Sequence, residues 1–422
     1  LKNAPAQKGK KGITQAEHLA KPEQTGRKMQ YRTDPRSGNQ LSILGFGMMR
    51  LPRGLTGIDQ DKTTAMVSLA IQEGINYFDT AHVYAGSEEA TGKALAAAGM
   101  RAQIFLATKL PHQKCRSYSD FDHYFNEQLT RLQTDYIDYY LIHNLPAASA
   151  WQRLLDMGIE GWLKEKQASG QIRQIGFSFH GQQADFLELL EAYDWDFCQI
   201  QYNYLDVSFQ AGQIGLKAAH EKGMMVVIME PLRGGKLATG LPSRAVQAMQ
   251  RVEPQSSQAS WAFRWLWNQV EPTVVLSGMG TTEQLLDNLN TAANATAGML
   301  TEEQEKVIDQ TVTAIQVGYK VPCTGCNYCM PCPQGVNISG CFAAYNTRTA
   351  QGLIAGYMQY FTGTGANRKD RYSGPKNCIA CGNCEKQCPQ NIAIIESLAE
   401  VKKRMEPFWF GALQAAVRRF SA

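Results

Sequence analysis

From Gln40 to about Thr291 the chain alternates short apolar runs with amphipathic stretches. Leu44–Met48, Tyr77–Asp79, Ile104–Lys109 and Ile137–His143 are strand-length runs that end in polar or small residues, and Gln174–Ser178, Phe197–Tyr202, Met224–Met229 and Val274–Ser277 continue the series. Between them lie stretches with helical spacing of apolar positions, among them Asp61–Gln72, Phe121–Leu132, Ala184–Tyr193 and Gly215–Lys222. Eight strands alternating with helices over about 250 residues is the arithmetic of an α/β fold of the (β/α)8 TIM-barrel type. A doubly wound sheet is the alternative, but it usually carries a glycine fingerprint after its first strand. Gly45-Phe46-Gly47 lacks both the third glycine and a helix directly after it. Ahead of the first strand, Tyr31–Arg32 and Leu41–Ile43 flank a turn at Asp34-Pro35-Arg36-Ser37-Gly38, which predicts a hairpin closing the bottom of the barrel.

Beyond the eighth strand the pattern changes. Thr301–Val317 predicts one more amphipathic helix, with Glu302 and Glu303 in its first turn. Pro322 and a run of cysteines then mark a boundary near residue 320. Phe342–Phe361 is aromatic and helix-like, a polar loop follows at Thr362–Lys369, and the chain ends in a helical stretch. The division expected is therefore an extension over 1–28, a barrel over 29–318, and a small, mainly α-helical domain over 319–422.

Composition alters this picture little. At 422 residues, 44% hydrophobic and 19% charged, the chain has the make-up of an ordinary globular protein, and no apolar run reaches the roughly 18 residues of a membrane helix. The net charge of +4 is local: residues 1–28 hold seven Lys/Arg and two Glu, so the rest is close to neutral. That argues against a nucleic-acid or acidic-lipid surface. The first 28 residues lack the apolar core of a signal peptide and are read as a disordered extension, with Met29 a natural start.

The cysteines carry the sharpest signal. Only Cys115 and Cys198 precede residue 323, and the other nine of eleven fall between Cys323 and Cys388. Tight clusters at fixed spacing suit a metal in a reducing compartment, which points to the cytoplasm. Cys378-Ile-Ala-Cys381-Gly-Asn-Cys384-Glu-Lys-Gln-Cys388-Pro389 is the bacterial ferredoxin run, in which three thiolates wrap one four-iron cluster and the fourth reaches another. Cys323-Thr-Gly-Cys326-Asn-Tyr-Cys329-Met-Pro-Cys332-Pro333 repeats it with one residue fewer before its last cysteine. By the crossed rule, Cys323, Cys326, Cys329 and Cys388 hold one [4Fe-4S] cluster, and Cys378, Cys381, Cys384 and Cys332 hold the other. Zinc is the competing metal, and Cys341 is the reserve ligand. With its long helical insert the region resembles the α-helical ferredoxin modules of redox enzymes.

At Asn76-Tyr-Phe-Asp79-Thr-Ala-His-Val-Tyr84, Ala107-Thr-Lys109 and Tyr140-Leu-Ile-His143-Asn the chain resembles the aldo-keto reductase family. The likeness continues at Gln174-Ile-Gly-Phe-Ser178, Gln199-Ile-Gln201-Tyr-Asn203 and Glu230-Pro-Leu-Arg-Gly-Gly235. Each piece lies at a strand's C-terminal end, where barrel enzymes build active sites. The resemblance implies Asp79, Tyr84, Lys109 and His143 as the catalytic set. Tyr84 would protonate the developing alkoxide, assisted by Lys109, which Asp79 holds in place, while His143 orients the carbonyl oxygen.

For an NAD(P)H cofactor the resemblance implies Ser178 and Gln201 beside the carboxamide and Met229 where the family commonly stacks an aromatic ring. Arg233, Gly234 and Gly235 would lie near the pyrophosphate, and the loop from Ser277 to Gln284 and Asn288 near the adenosine phosphate. Gly278 and Gln284 stand where NADP-specific members place cations, so NAD and NADP both remain open. The function expected is reduction of an aldehyde or ketone, or its reverse. The clusters would be a wire to a ferredoxin- or flavodoxin-like carrier or a structural staple; a redox sensor with a silent barrel is the alternative. The Trp261–Phe263–Trp265–Trp267 group is expected to be helix packing, and His82, His112, His123, His180 and His220 lack metal spacing.

Overall fold

The computed structural model describes residues 28–420 except 56, 182, 208, 209, 326 and 367–371. Residues 1–27 of the expected extension, the expected ligand Cys326 and the end of the expected loop Thr362–Lys369 thus lie outside the described residues. Eight strands run parallel: β1 (Leu44–Gly47), β2 (Tyr77–Asp79), β3 (Phe105–Leu110), β4 (Ile137–Ile142), β5 (Ile172–Phe179), β6 (Phe197–Gln201), β7 (Met225–Met229) and β8 (Val274–Ser277). They close into a barrel, with β8 returning to β1 so that Ser277 faces Phe46.

Side chains alternate across a strand, and that period divides the barrel into an inner and an outer core. Tyr77, Ala107, Tyr139, Leu141, Phe197, Met225, Val227, Val274 and Leu276 pack inside, while Phe46, Phe78, Tyr140, Ile142, Phe177 and Ile228 face the surrounding helices. The rings of Tyr77, Tyr139 and Phe197 fit together only because β5 carries Gly176 beside them. A Cβ there would lie 2.4 Å from the Phe197 carbonyl oxygen and 2.6 Å from its ring.

The predicted hairpin is present, with Tyr31–Thr33 antiparallel to Gln40–Ser42. It plugs the N-terminal end of the barrel: Leu41 joins the inner core, and Tyr139 donates to the Asp34 carboxylate at 2.8 Å. With that end closed, the inward period of two delivers Asp79, Lys109, Gln199 and Gln201 to the open, C-terminal end. The Trp261 group is helix packing, as its spacing suggests: Trp261, Phe263 and Trp267 are buried along Gln258–Trp267.

The helix Glu302–Gly318 packs on the barrel flank through Val307, Ile308 and Ile315 and leads into the second core. The aromatic stretch expected as one helix is two, Ile338–Gln351 and Leu353–Thr364. Gly352 breaks them at φ 99°, a value that residues with a Cβ rarely adopt. The turn folds Phe342, Tyr345, Tyr360 and Phe361 together with Ile394, Leu398 and Val401 of the helix Ile394–Met405. Cys323, Cys329, Cys332, Cys378, Cys384 and Cys388 pack against this core. Asn346 pins the link between the two bodies, accepting from the Lys320 and Val321 amides and donating to the Val321 carbonyl. No described helix is long and apolar enough to cross a membrane.

Candidate functional site

Four side chains expected to act together meet at the open end of the barrel. Lys109 Nζ on β3 lies 2.7 Å from both Asp79 oxygens on β2 and donates to the Thr80 carbonyl at 2.7 Å. Both residues are essentially closed to solvent, Asp79 at 4% and Lys109 at 1% exposed. Burial pushes the Asp79 carboxyl up and the Lys109 ammonium down, and their mutual attraction opposes both shifts. Gln199 Nε2 on β6 donates to Asp79 at 3.0 Å, a partner that sequence reasoning missed, although its inward register beside Gln201 marks it.

Tyr84 sits in the turn after β2, with its ring centroid 5.5 Å from Lys109 Nζ and 6.0 Å, edge to face, from the His143 ring. Burial, then the negative Asp79 and Glu230, raise the Tyr84 phenol well above its ordinary value. Burial and the positive Lys109 push His143 the other way, so its imidazole is neutral near pH 7.

The expected cofactor residues are distributed less simply. Ser178 Oγ accepts from the Asn144 amide at 2.7 Å, which leaves its hydroxyl hydrogen to donate. Gln201 Nε2 donates to Asp206 at 2.9 Å and its Oε1 accepts from Gln210, so both ends of its amide are engaged within the protein. Met229 packs on the inner core as a floor to the mouth. Arg233 is 2% exposed and pairs with Asp206 at 2.9 Å. Gln284 accepts from the Gly280 amide at 2.8 Å, and Asn288 donates to Ser277 Oγ at 2.9 Å.

The cation that does run along this rim is Arg50. A Cβ on Gly278 would meet its side chain at 3.2 Å, and one on Gly234 would lie 3.1 Å from its Nη2. Nothing in the local sequence of Arg50, far from both glycines, announces that position. Small residues, one arginine and the N-terminus of the helix Thr282–Ala293 together fit a dinucleotide lying across the rim. Glu230 interrupts this surface. Burial and the nearby Asp206 push its carboxyl up to about 7, against the pull of Arg233, Arg50 and Lys236.

The cysteines fall into two groups. Cys332, Cys378, Cys381 and Cys384, with Cys329, line a cavity of about 180 Å³, and its outer lip is open, with Cys381 exposed and Ile379 64% exposed. Cys323 lies on the inner side. Burial raises its thiol, the Gly325 amide and the charges of Lys236 and Arg233 lower it, and Cys388 raises it. Backbone amides point at sulfur in both groups, Gly325 N at Cys323 and Ala380 N at Cys378, each at 3.4 Å. Thiols gathered round a hollow with inward N–H donors fit a cluster; Cys329, expected in the other ligand set, lines the same cavity as Cys332, Cys378, Cys381 and Cys384. Cys341 stands apart, fully buried beside Phe342 on its helix.

The inner group rests directly on the barrel mouth. Arg233 Nη2 reaches the Pro322 carbonyl at 3.4 Å, and Gln390 Nε2 lies 3.5 Å from Gln201 Oε1. His180, past the end of β5, packs on Tyr328 with ring centroids 4.8 Å apart. That histidine, without metal spacing in the sequence, is a docking residue.

Comparison with known proteins bears on both parts. A model of the aldo/keto reductase family matches residues 43–312, and a model of the 4Fe-4S dicluster domain matches residues 322–393. The chain is 30% identical over 255 residues to an aldo-keto reductase of Mycolicibacterium vanbaalenii, covering 60% of this chain and 83% of that one. It is 28% identical over 300 residues to the uncharacterized oxidoreductase YqkF of Bacillus subtilis, covering 64% and 92%. Among solved structures, the holo form of an aldo-keto reductase from Bacillus halodurans superposes with a TM-score of 0.55 at 27% identity, covering 67% of this chain and 96% of that one.

Proposed function

Since this chain belongs to the aldo/keto reductase family and carries a 4Fe-4S dicluster domain behind its barrel, we propose that it reduces an aldehyde or ketone with NAD(P)H, or runs the reverse alcohol oxidation. The observation that carries this reading is the Asp79–Lys109 pair at 2.7 Å beside Tyr84, with a neutral His143 edge to face against the phenol ring. Bound NAD(P)H supplies the hydride, and the proton comes from the chain.

A phenol held well above its ordinary pKa stays protonated near pH 7, the state a donor needs. Transfer becomes favourable only as the carbonyl oxygen turns into an alkoxide, a stronger base than phenolate. Lys109 then stabilises the phenolate left behind, and Asp79 and Gln199 keep the ammonium from turning away. A neutral His143 can donate an N–H to the carbonyl oxygen without placing a second full positive charge beside Lys109.

Ser178, Arg50 and the helix starting at Thr282 are the residues proposed to hold the dinucleotide. Two [4Fe-4S] clusters in the crossed arrangement, exchanging electrons with a ferredoxin- or flavodoxin-like carrier, complete the reading. Tyr84→Phe tests it: carbonyl reduction should fall by about 10²–10⁴ while dinucleotide binding and the cluster absorbance stay as they were. Retention of most of the activity would remove Tyr84 as the donor and the tetrad with it.

A further inference from the structure

Barrel and cluster module are not merely adjacent; the barrel puts charge beside one set of cysteines. Lys236 opens a short helix after β7, and its Nζ would lie 3.8 Å from a Cβ on Gly325, inside the first cysteine motif. Gly325 donates its amide to the Cys323 sulfur at 3.4 Å, and on the other side of that cysteine Arg233 reaches the Pro322 carbonyl at 3.4 Å. Arg233 is paired with Asp206 at 2.9 Å, while Lys236 forms no ion pair among the described residues and feels Asp206 and Glu230 only at longer range. The second group of cysteines meets solvent instead, with Cys381 exposed and Lys386 at the lip of its cavity.

Reducing a cluster adds one negative charge, so its potential follows net charge, hydrogen bonds to sulfur and solvent exposure. Burial against the barrel taken alone would make the inner cluster the harder one to reduce. A fixed cation beside it acts in the opposite sense, and more strongly where water is excluded. We propose that Lys236, supported by Arg233, is a potential-setting residue of the cluster held by Cys323 and Cys388, raising it above the solvent-facing cluster so that an electron entering near Cys381 settles at the barrel mouth. The step balances as a one-electron transfer: the outer cluster loses the electron that the inner one gains, and an external one-electron donor restores the outer cluster. This goes beyond the carbonyl chemistry and rests on the two-cluster reading proposed above.

The test is a potentiometric titration of the anaerobically purified full chain with dithionite, followed by electron paramagnetic resonance, with iron counted in every variant. Lys236→Met should move the higher of two one-electron steps to more negative potential by about tenfold in its equilibrium constant, ~59 mV, and leave the lower step in place. Lys386→Met should move the lower step instead, and Lys236→Arg, which keeps the charge, should titrate like the parent. If Lys236→Met loses iron, Lys236→Gln makes the same measurement with a smaller change in polarity. The proposal is overturned if neither step moves, if the step sensitive to Lys236 is the lower one, or if Lys236→Arg shifts as far as Lys236→Met.

Discussion

Glu230 follows β7 with φ 54°, a left-handed value unusual for a residue with a Cβ. Its carboxyl titrates near 7 because burial and Asp206 oppose its charge. The group is neutral below that value and anionic above it, so a phosphate-bearing dinucleotide on the neighbouring rim should bind more weakly as pH rises through 7. Titrating NADPH against the protein on either side of pH 7 should show this loss, and Glu230→Gln should flatten it. Arg50 acts in the opposite direction at the same rim. Arg50→Ala should weaken both dinucleotides. Because the sequence offers Gly278 and Gln284 where a pair of cations is expected, NADPH and NADH should differ by less than about tenfold, ~1.4 kcal/mol. Competitive binding of the two to one preparation measures that ratio.

Between residue and fold, the helix Ser87–Ala98 is fixed by how closely it approaches its neighbour, Tyr118–Leu132. A Cβ on Gly92 would lie 2.3 Å from the Arg131 carbonyl oxygen and 2.7 Å from the backbone of Leu132. That closeness lets buried Glu88 accept from Thr108 on β3 at 2.7 Å and from Gln128 at 2.8 Å. Gln128 in turn accepts from Tyr140 on β4 and donates to the Lys109 carbonyl. Two helices and two strands are thereby locked next to the catalytic lysine. Gly92→Ala should push the helices apart and cost about 1–3 kcal/mol, as overpacking generally does. Urea unfolding of the variant against the parent measures the loss.

For the molecule as a whole, the two groups of cysteines face different surroundings although each motif contributes to both. One closes on the barrel mouth through Pro322 and Gln390, while the other opens to solvent around Cys381. Anaerobic protein should carry about eight irons, four in each cluster. Cys332→Ser should bring the count toward about four, because Cys332 lines the same cavity as Cys378, Cys381 and Cys384. Cys341→Ala should leave the count unchanged, since its thiol is sealed in the helical core. Iron analysis of the three proteins decides among these outcomes.

What the sequence determined by itself is what depends on local period and spacing. Eight strand-length apolar runs, each ending in polar or small residues, specified the strands and brought Asp79, Lys109 and Gln201 to the same end of the barrel. Two-residue gaps between cysteines marked the cluster motifs. The break at Gly352 was hidden because a single glycine is tolerated within a helical pattern, and only its positive φ separates the two helices. Tertiary structure alone decided which side chains meet across long loops. Arg50 reaches Gly234 and Gly278, Gln199 holds Asp79, and Asp206 draws Arg233 into a buried pair. It also decided that one cysteine group lies beside Lys236 while the other faces water. Such meetings depend on how closed strands and docked cores bring distant positions together, and no local pattern of residues encodes that distance.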